Sequence, residues 1–250
     1  MLRSFVARIL KRDYKINNKQ RIHARITSQQ TGGLSNHGSI AEVNHFLYFV
    51  NHSIPILGKD APYFITGNSL GGAIVMYAAE EISNNKYLYP SNFRGVIPIA
   101  PAIGVDPRAI PPSPIVSCLS ILSYMAPAAQ PPLTPFEDPT KYNCPDNTTR
   151  NFSGHWPLST SKMLLDLTSK KVNQDREHGA ISLQSVNILL ITGEKDMVVP
   201  VETIKSFYSN VESTRKKLFL MPNTGHDLLF EDKSSTLIMD EIFHWIDTLK

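Results

Sequence analysis

The sequence predicts an α/β fold, a mainly parallel sheet with helices on both faces and a cap inserted between its two halves. Three observations predict it. Short apolar runs that read as buried strands alternate with segments of helical period. The loops that follow those runs hold the polar residues able to do chemistry, as expected at the carboxyl edge of an open α/β sheet. Between Pro101 and Pro139 the alternation stops, and ten of the chain's eighteen prolines fall there, which marks an insertion.

The elements follow in order. In "MLRSFVARILKR", Leu2, Phe5, Val6, Ile9 and Leu10 lie at i, i+3, i+4, i+7 and i+8, with Arg3, Arg8, Lys11 and Arg12 elsewhere on the wheel. This spacing predicts a short basic amphipathic helix: a mitochondrial presequence, an interfacial membrane helix or a docked surface helix. "SIAEVNHFLYFVNHSI" puts Ile40, Val43, Leu47 and Val50 on one helical face, and "PYFITG" reads as a buried strand. Helical pattern runs from Leu70 to Ser83, followed by strand "FRGVIPIA". After the insertion, helix "SKMLLDLTSKKVNQ" leads to strand "VNILLITG" and to a helix "PVETIKSFYSNV" opened by Pro200. Strand "KKLFLM" and a final helix with Ile238, Ile242, Trp245 and Leu249 in phase complete the chain. The expected organisation is a basic leader with a possible strand in residues 1–31, a core from 32–100 and 181–250, and a cap from 101–180.

Composition narrows the function classes. The chain has 250 residues, 42% hydrophobic and 19% charged, which suits one large folded domain, and no apolar run approaches the roughly 18 residues of a membrane span. Residues 1–40 carry eight Lys or Arg against the single acid Asp13, so the net charge of +3 belongs to the leader and implies no nucleic-acid surface. Two cysteines, Cys118 and Cys144, and no secretory leader favour a reduced intracellular setting. On that setting the Asn-x-Ser/Thr matches at Asn51, Asn147 and Asn151 are chance. Neither a phosphate-binding glycine loop nor metal-ligand spacing is present, so no cofactor and no metal are expected.

Gly67-Asn68-Ser69-Leu70-Gly71 matches the G-x-S-x-G elbow, with a strand before it and a helix after it. A serine at its free pKa needs a base, and the base an orienting acid. Asp196 follows strand "VNILLITG" and His226 follows "KKLFLM", in the order acid then histidine. Asp196 also suits a helix cap, and Glu194 is a rival acid, but Asp196 stands nearer the helix start. His23, His37, His45, His52, His155, His178 and His244 lack a place after a strand and read as surface or helix residues.

"GNSLGGAIVMYAAEE", "ITGEKDMVVP" and "MPNTGHDLLFE", with a lipophilic insertion between the first two, resemble the monoacylglycerol lipase and lysophospholipase branch of the α/β-hydrolase superfamily, close to the serine aminopeptidase-like hydrolases. The resemblance runs from about Gly32 to Lys250. It implies Ser69 as nucleophile, His226 as general base, Asp196 as its acid and Leu70 as one oxyanion-hole N–H. It departs at Asn68, where the family usually has histidine, and at the N-terminus, where the family places several strands and a His-Gly loop. "RIHARIT" is the expected remnant strand and "SQQTGGLS" the loop's counterpart, with His37-Gly38 in the wrong place and other N-terminal strands expected to be missing.

The implied function is a serine carboxylester hydrolase that cleaves a lipid ester, foremost monoacylglycerol, to glycerol and fatty acid. The alternative is a shortened, catalytically impaired member that binds lipid or another protein. "PIVSCLSILSYMAPA", apolar around most of its circumference, reads as a buried core helix, as a lid over an acyl pocket that touches membrane or lipid droplet, or as both. The expected location is the cytoplasm, peripherally on membrane or lipid droplet, with the mitochondrion as alternative.

Overall fold

The computed structural model describes residues 7–11, 38–57, 62–104, 112–129, 157–165, 183–229 and 232–249. The strands are β1 (Ala7–Lys11), β2 (Tyr63–Asn68), β3 (Phe93–Ile99), β4 (Leu183–Gly193) and β5 (Ser213–Met221). The helices are α1 (Gly38–Ser53), α2 (Leu70–Asn84), α3 (Ser113–Met125), α4 (Leu158–Leu165), α5 (Val201–Asn210) and α6 (Asp232–Asp247). The strands form one sheet in the order β1-β2-β3-β4-β5, parallel from β2 to β5. Parallel neighbours need crossovers, and the alternation of helix and strand read from the sequence supplies them.

The first strand corrects the expected amphipathic helix. Ala7–Lys11 pairs antiparallel with β2, Ala7 opposite Gly67 and Lys11 opposite Tyr63. An isolated helix of twelve residues is marginal in water, with its first N–H and last C=O groups unsatisfied. The open edge of β2 offers those same groups a full ladder, and pairing there also covers an edge otherwise prone to association. The expected remnant strand "RIHARIT" and the loop "SQQTGGLS" lie outside the described residues, as do Cys144, Asn147, Asn151 and most of the cap.

Two apolar layers sandwich the sheet. On one face Phe46, Leu47 and Val50 of α1, with Ala73, Val75, Met76 and Ala79 of α2, pack against Ile65, Val96, Ile188 and Leu190. On the other, Ile238, Ile242 and Trp245 of α6 cover Phe64, Ile97, Leu189 and Ile191, and the Trp245 ring meets Phe64 edge-on at 5.8 Å. Ile238, Ile242 and Trp245 are thus buried as their spacing required, while Leu249, past the end of α6, packs half-buried against the same layer. Tyr63 lies in the first layer, its hydroxyl donating to Pro90 O at 3.1 Å, and burial pushes the phenol's pKa far above its ordinary value. At the far end, Lys216 on β5 donates from Nζ to Tyr208 O (2.8 Å), Val211 O (2.9 Å) and Ser209 O (3.4 Å). These are carbonyls left over where α5 ends, where a cation also suits the helix dipole.

Between β3 and β4 the described part of the cap is α3 and α4. The start of α4 is tied to the segment after α3, Leu158 N–H donating to Ala129 O at 2.9 Å and Ser159 N–H to Pro127 O at 3.1 Å. No residue of α3 is buried, and Ile115, Ile121, Leu122, Tyr124 and Met125 are exposed, so α3 is not the buried core helix its apolar sequence also allowed. Of "SKMLLDLTSKKVNQ", Ser161 to Leu165 continue α4, a helix that starts earlier than expected, at Leu158; the rest lies outside the described residues.

Candidate active site

Ser69 occupies the turn between β2 and α2. Its backbone has φ 55° and ψ −121°, a region that costs a residue with a Cβ about 1–3 kcal/mol. Neighbouring bonds hold it there: Ser69 N–H donates to Ile99 O at 2.9 Å, and Ser69 O accepts from Gly72 N–H and Ala102 N–H, each at 2.9 Å. The chain reverses so tightly that a Cβ on Gly67 would lie 2.1 Å from Gly71 O, so only glycine fits. The serine remains partly exposed at the carboxyl end of the sheet.

Asp196 and His226 arrive from the next two strand ends. Lys195 N–H donates to Thr224 O at 2.9 Å, tying the loop after β4 to the loop after β5. That tie brings backbone against backbone, and a Cβ on Gly193 would lie 2.2 Å from Thr224 O. The result is a hydrogen-bonded row: Asp196 Oδ2 lies 2.8 Å from His226 Nδ1, and His226 Nε2 lies 2.9 Å from Ser69 Oγ. With the proton on Nδ1 the carboxylate accepts it, and Nε2 is left to accept from the serine hydroxyl. Asp196 and His226 are each only 6% exposed, which shields the contact between them from competing water.

Asp196 is a turn-capping aspartate as well as the histidine's partner. Its Oδ1 accepts from Val198 N–H and Val199 N–H, each at 2.9 Å, in the turn ahead of α5. These bonds lock the carboxylate so that Oδ2 faces the imidazole. The rival Glu194 is engaged elsewhere, accepting from Asn223 N–H at 3.2 Å. Of the remaining histidines, His45, His52 and His244 are exposed on helices, while His23, His37, His155 and His178 lie outside the described residues.

Leu70 opens α2, whose first intrahelical bond to Ser69 O comes from Gly72 N–H. The Leu70 N–H therefore belongs to the unsatisfied first turn, at the positive end of the helix dipole, where charge developing beside Ser69 would meet it. Asn68, between Gly67 and Ser69, stands where the family usually has histidine. Asn68 is 8% exposed, and its Oδ1 has no hydrogen-bond partner among the described residues. Among the described residues no group of His, Cys, Asp and Glu side chains could hold a metal ion.

A strained serine between a parallel strand and a helix, with histidine and aspartate from the following strand ends, defines an α/β-hydrolase. The chain belongs to the family described as Hydrolase_4: Serine aminopeptidase, S33, whose model matches residues 35–233. Among solved structures, a soluble variant of monoglyceride lipase from Saccharomyces cerevisiae, in complex with a substrate analog, is similar in fold. Its TM-score is 0.68 at 16% identity, over 87% of this chain and 71% of that one. The Paleococcus ferrophilus monoacylglycerol lipase aligns with TM-score 0.61 and 19% identity, covering 83% of this chain and 76% of that chain. A highly thermostable carboxyl esterase from Bacillus coagulans, in complex with glycerol, gives 0.61 and 17%, covering 85% and 73%. No curated protein sequence matches this chain.

Proposed function

We propose that this protein is a serine carboxylester hydrolase acting on lipid esters, foremost monoacylglycerol, which it splits into glycerol and a free fatty acid. The observation that carries this reading is the unbroken row Ser69–His226–Asp196 at 2.9 and 2.8 Å. In the reaction, Ser69 Oγ attacks the ester carbonyl carbon while its proton passes to His226 Nε2, and Asp196 stabilises the imidazolium. The Leu70 N–H receives the oxyanion. Collapse expels the alcohol oxygen, which takes the proton back from His226. Water then gives its proton to His226 and attacks the acyl-Ser69, and collapse releases the fatty acid and restores the serine.

The lipid assignment is supported by the monoacylglycerol and monoglyceride lipases among the fold relatives and by an uncharged, exposed α3. Ile115, Ile121, Leu122, Tyr124 and Met125 suit contact with an acyl chain or a lipid surface, so α3 is proposed to rest on a membrane or lipid droplet while the core stays in the cytoplasm. The discriminating assay compares long-chain monoacylglycerols, lysophospholipids and short p-nitrophenyl esters. Turnover highest on monoacylglycerol is expected; preference for the short esters alone would end the lipid assignment. A folded sample inert on all three would favour a lipid-binding role without turnover.

A further inference from the structure

Glu194, the rival acid in the sequence, stands two residues before Asp196, exposed, where the loop after β4 runs alongside the loop that delivers His226. It grips that second loop twice. Its N–H donates to Met221 O at 3.0 Å, and its Oε2 accepts from Asn223 N–H at 3.2 Å. The two bonds bracket Pro222, which has no N–H of its own to offer. Asn223 has φ 57°, the left-handed region that asparagine enters more readily than most residues, so the carboxylate holds the N–H of a turn residue. Gly225, directly before His226, is the pliable link in this loop: beyond its chain neighbours, the nearest atom a Cβ there would meet is Lys195 O, at 3.9 Å. The position of His226 therefore depends on the holds upstream, at Met221, at Asn223 and at Thr224, whose O accepts from Lys195 N–H at 2.9 Å.

Resting on the hydrolase reading above, we propose that Glu194 is a positioning residue: its carboxylate fixes the Pro222–Asn223 turn and, through that turn, the place from which His226 meets Ser69 Oγ. Glu194 touches no reacting atom and takes no proton in the reaction. The backbone ties between the loops, Glu194 N–H to Met221 O and Lys195 N–H to Thr224 O, are open to any residue but proline; the bond to Asn223 is what a glutamate at 194 adds. Such a role shows in rate more than in stability. Glu194, Pro222 and Asn223 are all exposed, so without the carboxylate water satisfies the Asn223 N–H, and the bond's net contribution to folding is small. Water has no covalent link to the loop of Asp196, however, and cannot keep the histidine loop in register with it. Misplacement of a reacting group by about 1 Å costs roughly 10²-fold in rate. The direct bond from Asp196 Oδ2 to His226 Nδ1 limits the loss to a part of that.

The test reads kcat, KM and Tm together in the full chain. Glu194→Ala is expected to lower kcat on a p-nitrophenyl ester about tenfold, with KM within about twofold and Tm within about 2 °C of wild type. Glu194→Gln, equal in length and still an acceptor, should recover kcat to within about threefold. Glu194→Ser, too short to reach Asn223, takes the place of the alanine variant if that chain does not fold. In a His226→Gln background no imidazole is left to place. There the alanine change should alter the residual rate of fluorophosphonate labelling by less than about twofold, against about tenfold with His226 present. The inference is overturned if Glu194→Ala turns over at the wild-type rate, if its kcat falls only with a matching loss of Tm, if Glu194→Gln recovers nothing, or if the alanine change slows labelling equally with and without His226. A wild-type chain that neither labels nor hydrolyses overturns the hydrolase reading itself, and this inference with it.

Discussion

Replacing Gly67 with alanine should disarm Ser69 without touching any catalytic atom. The added Cβ would stand 2.1 Å from Gly71 O and 2.4 Å from Gly71 C, whereas real Cβ atoms essentially never approach closer than 3.0 Å. The clash is with backbone at the head of α2, so no side chain can swing away. Strand and helix must separate by about 0.9 Å at this point to reach even that limit. Ser69 lies between them, and its Oγ must move relative to His226, which is anchored independently through Asp196 and the Lys195–Thr224 tie. A misplacement of about 1 Å costs roughly 10²-fold in rate. Overpacking of this kind destabilises by about 1–3 kcal/mol, or roughly 2–10 °C in Tm for a chain of this size. The assay is the second-order rate of fluorophosphonate labelling at Ser69, with Tm measured alongside. Labelling at the wild-type rate by a Gly67→Ala protein of unchanged Tm would refute the elbow geometry.

Other substitutions probe separate parts of the account. Asp196→Asn removes the carboxylate that fixes the His226 tautomer and should lower kcat by about 10³–10⁴ in an ester hydrolysis assay, with KM little changed. Lys216→Met strips three carbonyls at the end of α5 of their donor and should cost about 1–2 kcal/mol in urea unfolding while kcat stays as it was. Thr192 is fully buried with no partner for its hydroxyl among the described residues, so Thr192→Val should hold or raise stability by up to about 1 kcal/mol in the same measurement. Tyr63 has a raised pKa in the fold, so its contribution is complete below pH 10, where the unfolded phenol is also neutral, and is lost as pH rises above that value. Tyr63→Phe should therefore flatten the decline of Tm above pH 10, at the cost of about 1 kcal/mol at neutral pH from the lost bond to Pro90.

The parts of the molecule legible in its sequence are those set by local pattern. Ser69 announces itself because an elbow needs glycine on both sides, and the 2.1 Å approach at Gly67 is the steric reason. Asp196 and His226 follow from the habit of parallel sheets to present their loops at one edge, and the two carboxylates were separable because Asp196 stands nearer the helix start. The strand at Ala7–Lys11 was not legible. Its residues fit a helical wheel, and what decides between helix and strand is the unpaired edge of β2, more than fifty residues away in the chain. Nor could periodicity tell whether α3 is covered: an apolar surface looks the same in sequence whether protein or lipid is to meet it. Asn68 is legible only as a departure from the family's usual histidine; that its Oδ1 lacks a partner among the described residues shows only once neighbouring strands and loops are assembled.

The central claim is that Ser69 is a nucleophile activated by His226. Mass spectrometry of the full chain after exposure to a fluorophosphonate tests it most directly. One adduct per chain is expected, located on the peptide containing Ser69, absent in Ser69→Ala and slowed at least a hundredfold in His226→Gln. A folded protein that stays unmodified, or that labels as fast in His226→Gln as in wild type, would contradict it.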